Sequence, residues 1–432
     1  MKFRFAILMM LAIVTGLSAA AQTPTPVKLT LKEAEDLAIK AHPQIKAALL
    51  IAQAAGQVPT EMGAARFPTL EANISGAGAS QDSRIAAGGL NNPLILSRGA
   101  MGLEVSQLIL DFGRTGNLVA SSRLRALSAN QDTEATREQV LLQVDSAYFT
   151  AQRNQALLKV AEQTVAARQV VVEQVEALAR NGVRSGLDVS IANYNLAEAK
   201  LLLSRSQNDL RAAFAELSAA LGNHDDQTYD LADEPLPVLQ IPGQTEMVNE
   251  ALNLRPELRS LQFERDAAYR FVKAEKALKL PSVGALWNVG WVPLGFSNQQ
   301  LPNHYNAAGF TINIPIFNGR LFKAREAEAE YKARAVEENL KDFENRVARD
   351  VRVAWLNVYT AYERIGLSAQ LQSRANEALD LAQERYRLGL SSIVELSQAQ
   401  LNMTIADIES ANAKYDYLLQ RAVLNYQTGQ LH

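Results

Sequence analysis

RLGLSSIVELSQAQL (Arg387 to Leu401) and RNGVRSGLDVSIANY (Arg180 to Tyr194) each stop a long helical pattern and restart it within a few residues. Glycine accepts the left-handed conformation that closes a helix, so Gly182 and Gly389 mark the two stops. Leu390, next to Gly389 in the chain, stands where an apolar contact usually accompanies such a stop. Ser185 with Asp188, and Ser392 with Glu395, have the spacing of a capping box and begin the following helix. Both stretches read as tight helix–turn–helix reversals. On its own such a turn is an ordinary bundle corner, and its meaning depends on the rest of the chain.

The two turns lie about 207 residues apart, and other pairs recur in the same order. His42-Pro43-Gln44-Ile45-Lys46 answers to Arg255-Pro256-Glu257-Leu258-Arg259, and RFPTL (66–70) answers to KLPSV (279–283). LILDFGR (108–114) lines up with IPIFNGR (314–320), while Gly222 and Gly429 each close a copy. The chain therefore reads as a duplicated unit, residues 22–222 and 246–432, joined by a Pro- and Asp-rich connector at 223–245.

Each copy has the order helix, strand, strand, very long helix, reversal, shorter helix. Strands are expected at about 69–79 and 100–110, then a long helix at 113–181, a tip at 181–188 and a helix at 188–221. The second copy repeats this with strands at about 282–292 and 306–315, a long helix at 319–388, a tip at 388–395 and a helix at 393–427. At 1.5 Å per residue each long helix reaches roughly 100 Å, so the molecule is elongated. Val347, Val351, Ala354, Val358, Ala361 and Ile365 recur at alternating three- and four-residue steps, as do Val140, Val144, Ala147 and Ala151. That is a coiled-coil seam.

The strands alternate between apolar and polar residues. Val283, Ala285, Trp287, Val289 and Trp291 share one face, and Ala308, Phe310, Ile312 and Ile314 do the same in the following strand. Leu70, Ala72 and Ile74 oppose Glu71, Asn73 and Ser75, whereas 101–109 is less regular. A soluble sandwich produces this alternation, and so does a membrane barrel. In lipid, four strands cannot close, and two open edges of unpaired backbone groups cost several kcal/mol per group. Two chains would give eight strands, too narrow for a channel, and three would give twelve.

Lys2 and Arg4 precede an apolar run, Phe5 to Leu17, followed by SAAAQ. This is a signal peptide over 1–21, with cleavage expected between Ala21 and Gln22. No later stretch approaches the roughly 20 apolar residues of a transmembrane helix, so any spanning falls to strands. The chain has 432 residues, a formal charge of −3 and no cysteine. Near-neutrality implies no nucleic-acid partner, and the lack of cysteine removes disulfides, thiolate sites and a lipidated-cysteine anchor. His42, His224, His304 and His432 are scattered without metal-ligand spacing, and no Walker loop or nucleophile elbow is present. No enzyme and no cofactor are read from the sequence.

Taken together, the duplicated unit, the junctions LILDFGR and IPIFNGR, and the reversals NGVRSGLDV and LGLSSIVEL resemble the outer-membrane efflux protein family. These are the TolC-like channel components of tripartite efflux and type I secretion systems. The resemblance covers essentially the whole mature chain and implies a mixed, mainly α, fold. It implies a homotrimer in outer-membrane lipid, with four strands per chain in a twelve-stranded β-barrel above a periplasmic α-barrel. It also implies that the reversals are periplasmic tips that dock a periplasmic adaptor and, through it, an inner-membrane pump. Gly182, Val183, Ser185, Gly389, Leu390, Ser391 and Ser392 would form that surface. A gate is implied just inside the tips: Asp188 matches an acidic gate residue, Tyr386 its partner, and Glu395 an acidic ring residue. The sequence departs from the family pattern at Ser391, where a basic partner is expected, and at Gln398, where an acid is expected. Arg184 or Arg387 could supply the missing cation, and Asp188 and Glu395 equally fit as helix caps. A periplasmic adaptor, or a structural coiled-coil protein, is the alternative reading.

Overall fold

Residues 27–78, 80, 98–224, 227–240, 242–294 and 303–431 are described by the computed structural model. The expected leader and its cleavage point lie outside them. The first copy contributes β1 (Val27–Leu29), α1 (Leu31–Ala41), α2 (Pro43–Ala64), β2 (Thr69–Ala77), β3 (Arg98–Leu110), α3 (Arg114–Arg180) and α4 (Gly186–Ala220). β4 (Tyr229–Leu231) follows. The second copy contributes α5 (Gln244–Leu254), α6 (Pro256–Ala277), β5 (Ser282–Leu294), β6 (His304–Asn313), α7 (Leu321–Arg387) and α8 (Ile393–Thr428).

α3 and α7 each hold 67 residues without a proline, long enough for roughly 100 Å. α3 packs along α4, α7 along α8, and the two hairpins meet through α3 and α8. Val347, Val351, Ala354, Val358 and Ala361 are all buried on α7, and Val140, Val144, Ala147 and Ala151 are buried on α3. The three-and-four spacing is thus a packed seam whose small side chains let neighbouring helices approach closely.

Two features depart from the expected pattern. The stretch read only as a connector carries β4, which pairs in parallel with β1, Val27 opposite Tyr229 and Leu29 opposite Leu231. The pair is fixed to α3 by the fully buried Tyr148, whose hydroxyl lies 3.1 Å from the Leu29 carbonyl and 2.9 Å from that of Ala232. The second departure is in β3, which carries a register shift between Leu108 and Leu110. A bulge of this kind breaks strict alternation, which accounts for the less regular pattern there.

The four long strands form one antiparallel sheet in the order β2-β3-β5-β6. Its register sorts the side chains cleanly. Leu70, Val105, Trp287 and Ala308 form one row across the sheet, and Ile74, Met101, Trp291 and His304 another, both on the same face. The opposite face carries the row Glu71, Glu104, Asn288 and Ala307. On that face the Tyr305 ring lies over Gly102 and Gly290, where any Cβ would collide with it. β2 and β6 are the open edges. Among the described residues no helix is long and apolar enough to cross a membrane.

Candidate functional site: the hairpin tips

Both long helices end in the same hydrogen-bonded stop. Val183 donates its backbone N–H to the Leu178 carbonyl at 2.9 Å and Gly182 donates to Ala179 at 2.9 Å. Leu390 donates to Arg385 at 2.8 Å and Gly389 to Tyr386 at 3.1 Å. This is the Schellman arrangement, which requires a left-handed residue. Gly182 has φ +71° and Gly389 φ +76°, and a Cβ on either would meet nothing within 4 Å. The glycines are needed for backbone conformation and not for space.

The next helices begin differently. Ser185 accepts from the Asp188 N–H at 3.3 Å, and the Asp188 carboxylate accepts from the Ser185 N–H at 3.0 Å, a complete capping box. Ser392 likewise accepts from the Glu395 N–H at 3.3 Å. The expected box is only half formed there, because the Glu395 carboxylate turns away and accepts from Arg385 Nε at 2.9 Å. Ser392 is a cap, but Glu395 joins the two arms of the second hairpin.

Behind the turns the four helices share one apolar cluster: Val172, Val175, Ala192, Leu196, Ala382, Tyr386, Ile393, Leu396 and Ala399. Tyr386 is buried within it. The Arg184 guanidinium lies 4.3 Å from the Tyr386 ring centroid and donates to the Tyr386 carbonyl at 3.0 Å. Of the two cations considered for this position, Arg184 therefore reaches Tyr386, while Arg387 pairs with Glu384 on its own helix at 2.8 Å. Asp188 does not bond to Tyr386, whose hydroxyl is buried without a partner. Burial is the main reason the Tyr386 phenol is shifted upward; Asp188 adds to the shift and Arg184 opposes it. Ser391 also has a buried, unpartnered hydroxyl.

Two further contacts tie the hairpins near the tip. Arg168, buried on α3, donates to the Gln400 side-chain carbonyl on α8, and Asn195 donates to Ser397 Oγ at 2.8 Å. Neither was singled out from sequence, nor was Arg385. At the extreme end the chain leaves apolar side chains uncovered, with Val183 64% and Leu390 67% exposed.

Two long helical hairpins, closed by hydrogen-bonded turns at one end and joined to a four-stranded sheet with one apolar face at the other, define the architecture. The chain belongs to the outer membrane efflux protein family, whose profile matches residues 35–223 and 247–430. It is 21% identical over 334 residues to the outer membrane efflux protein BepC of Brucella suis biovar 1, covering 77% of this chain and 72% of that protein. It is 26% identical over 363 residues to the toluene efflux pump outer membrane protein TtgC of Pseudomonas putida, covering 78% and 70%. The solved structure of the outer membrane protein VceC from Vibrio cholerae superposes with a TM-score of 0.80 at 19% identity, covering 92% of this chain and 96% of that one. The protein is thus an outer-membrane channel of the efflux class, with the mainly α fold of that class.

Proposed function

We propose that three copies assemble into a continuous duct, a twelve-stranded barrel in the outer membrane above a periplasmic tunnel. The observation that carries this reading is the sheet with one apolar face and two unpaired edges, β2 and β6. Lipid tolerates the apolar face but not the edges, and pairing β2 of one copy with β6 of the next removes every edge at three copies. Native mass spectrometry of outer-membrane extracts tests it: a trimer beginning at Gln22 is expected. A soluble monomer that retains residues 1–21 would overturn the reading.

At the far end, Gly182, Val183, Ser185, Gly389, Leu390, Ser391 and Ser392 form the mouth that meets a periplasmic adaptor coupled to an inner-membrane pump. The exposed Val183 and Leu390 support this, since both turns leave the apolar side chain that follows the glycine uncovered at the outermost point. Just inside, Arg184 on Tyr386 and Arg385 on Glu395 hold the tips together as the gate. Both partners of the Arg385–Glu395 pair are about half exposed, so the pair contributes at most about 1 kcal/mol and can be broken during opening. Arg184→Ala is expected to raise single-channel conductance in planar bilayers without lowering trimer yield. Asp188→Asn, by contrast, keeps an acceptor for the Ser185 N–H and loses only the carboxylate's charge in the first helical turn, worth about 0.3–1 kcal/mol, and leaves conductance near wild type. If only Asp188→Asn changes conductance, Asp188 is the gate residue and Arg184 is not.

A further inference from the structure

We infer that a cavity between the end of α2 and the start of α3 binds the phosphate of a phospholipid from the periplasmic leaflet of the outer membrane. The cavity measures about 670 Å³ and is lined by Arg66, Arg123, Thr60, Phe67, Val119 and Leu127, among others. No lining residue is acidic. Arg66 and Arg123 have no carboxylate partner among the described residues. Two uncompensated guanidinium groups beside an apolar floor fit a group that is anionic at one end and hydrocarbon at the other. The volume lies in the range of small-molecule sites, about 300–1,000 Å³.

The repeat shows that this charge is particular to the first copy. Arg66 aligns with Lys279, which is neutralised by Glu326, and Glu275 nearby accepts from Arg325 at 2.9 Å. At the positions equivalent to Glu326 and Glu275 the first copy carries Ala120 and Met62. The acids that would satisfy Arg66 are therefore missing where the second copy has them.

Position supplies the occupant. Arg66 lies three residues before β2, an open edge of the sheet, and the exposed Phe67 and Phe112 flank the strand ends. The cavity lies on the helical side of the strand ends, between the last turns of α2 and Val119 to Leu127 of α3, with Phe67 between it and the sheet. Aromatic side chains with cations beside them suit a headgroup boundary. The inference rests on the proposed barrel, because only that reading sets this level at a membrane surface.

The test uses detergent-extracted trimers and native mass spectrometry, with phosphatidylglycerol, phosphatidylcholine and inorganic phosphate added separately to delipidated protein. Phosphatidylglycerol should stay bound to wild type, and each Arg→Gln change at position 66 or 123 should weaken retention about tenfold. Arg125→Gln, on the exposed side of α3, should change nothing. Leu127→Trp, which fills the cavity and keeps its charge, should also release lipid and serves if the glutamine variants assemble poorly. Equal retention by wild type and all variants would overturn the inference, as would inorganic phosphate retained as well as phosphatidylglycerol. The same spectra report assembly. Monomeric wild type would count against the barrel, whereas intact trimers that ignore these substitutions would count against the lipid site alone.

Discussion

Arg255→Met is expected to destabilise the protein by about 2–3 kcal/mol, below the cost of breaking a fully buried ion pair because Glu257 keeps some contact with solvent. Arg255 is 5% exposed at the start of α6 and holds Glu257 with two bonds, Nε at 3.2 Å and Nη2 at 2.9 Å. Its third nitrogen donates to Gln427 on α8 at 2.9 Å, and its guanidinium faces the Phe343 ring of α7. One side chain thus joins three helices of the second copy. Glu138 of α3 is buried in the same place, and its carboxyl is pushed up to about 7 by burial and by the charge of Glu257, with Arg255 pulling the other way.

The sign of the pH dependence follows. A carboxyl whose pKa is raised by folding binds a proton in the native state that the unfolded chain has released. Glu138 therefore costs nothing below about pH 4.5, and stability falls as pH rises through about 7, where the native group finally ionises. Removing Arg255 should push Glu138 higher still and extend that fall to more alkaline pH. Glu138→Gln should flatten the profile and recover part of the loss in the Arg255→Met background. Urea midpoints of the detergent-solubilised protein between pH 5 and 9 decide. A midpoint for Arg255→Met near wild type, or a pH profile indifferent to Glu138→Gln, would show that the cluster does not carry this load.

The repeat and its reversals were readable because they depend on short-range chemistry: a glycine where φ must be positive, a serine where a helix must start, and a three-and-four spacing over many turns. The outward rows of the sheet were readable for a similar reason, since alternation survives in every strand except where β3 bulges. β1 and β4 were not, because three-residue segments, VKL and YDL, are too short to show a period. Glu395 departs from the complete box that its spacing suggests for a different cause. Ser-x-x-Glu spacing signals a capping box, but the reversal folds Arg385 back beside the carboxylate, and that competitor lies ten residues away in sequence. Arg184 was one of two candidates, with Arg387, for the cation missing at Ser391; its place over Tyr386 depends on two hairpins meeting, which no local pattern encodes. The unpaired Arg66 was visible in principle, as a mismatch between the copies at Ala120 and Met62.

Leu390→Glu is expected to abolish efflux while leaving the channel itself intact. Leu390 is 67% exposed at the outermost point of the second reversal, and its backbone, not its side chain, completes the helix stop. A charged side chain there faces water in the isolated trimer and should cost folding less than about 0.5 kcal/mol. In a docked complex the same position becomes an apolar anchor, and a buried carboxylate without a partner costs at least about 2 kcal/mol, a weakening of roughly thirtyfold or more per turn. In the proposed trimer the substitution is presented three times, so the loss multiplies. Ser391 is the poorer probe, because its hydroxyl is already buried and a charge there would disturb folding directly. Gly389→Val separates the effects from the other side: it strains a left-handed residue at φ +76° and should lower trimer yield. Cargo export, trimer yield and single-channel conductance measured on the same variants give the answer. Lost export with wild-type yield and conductance marks Leu390 as a docking residue; reduced yield marks it as structural, and undiminished export places the contact elsewhere on the tip.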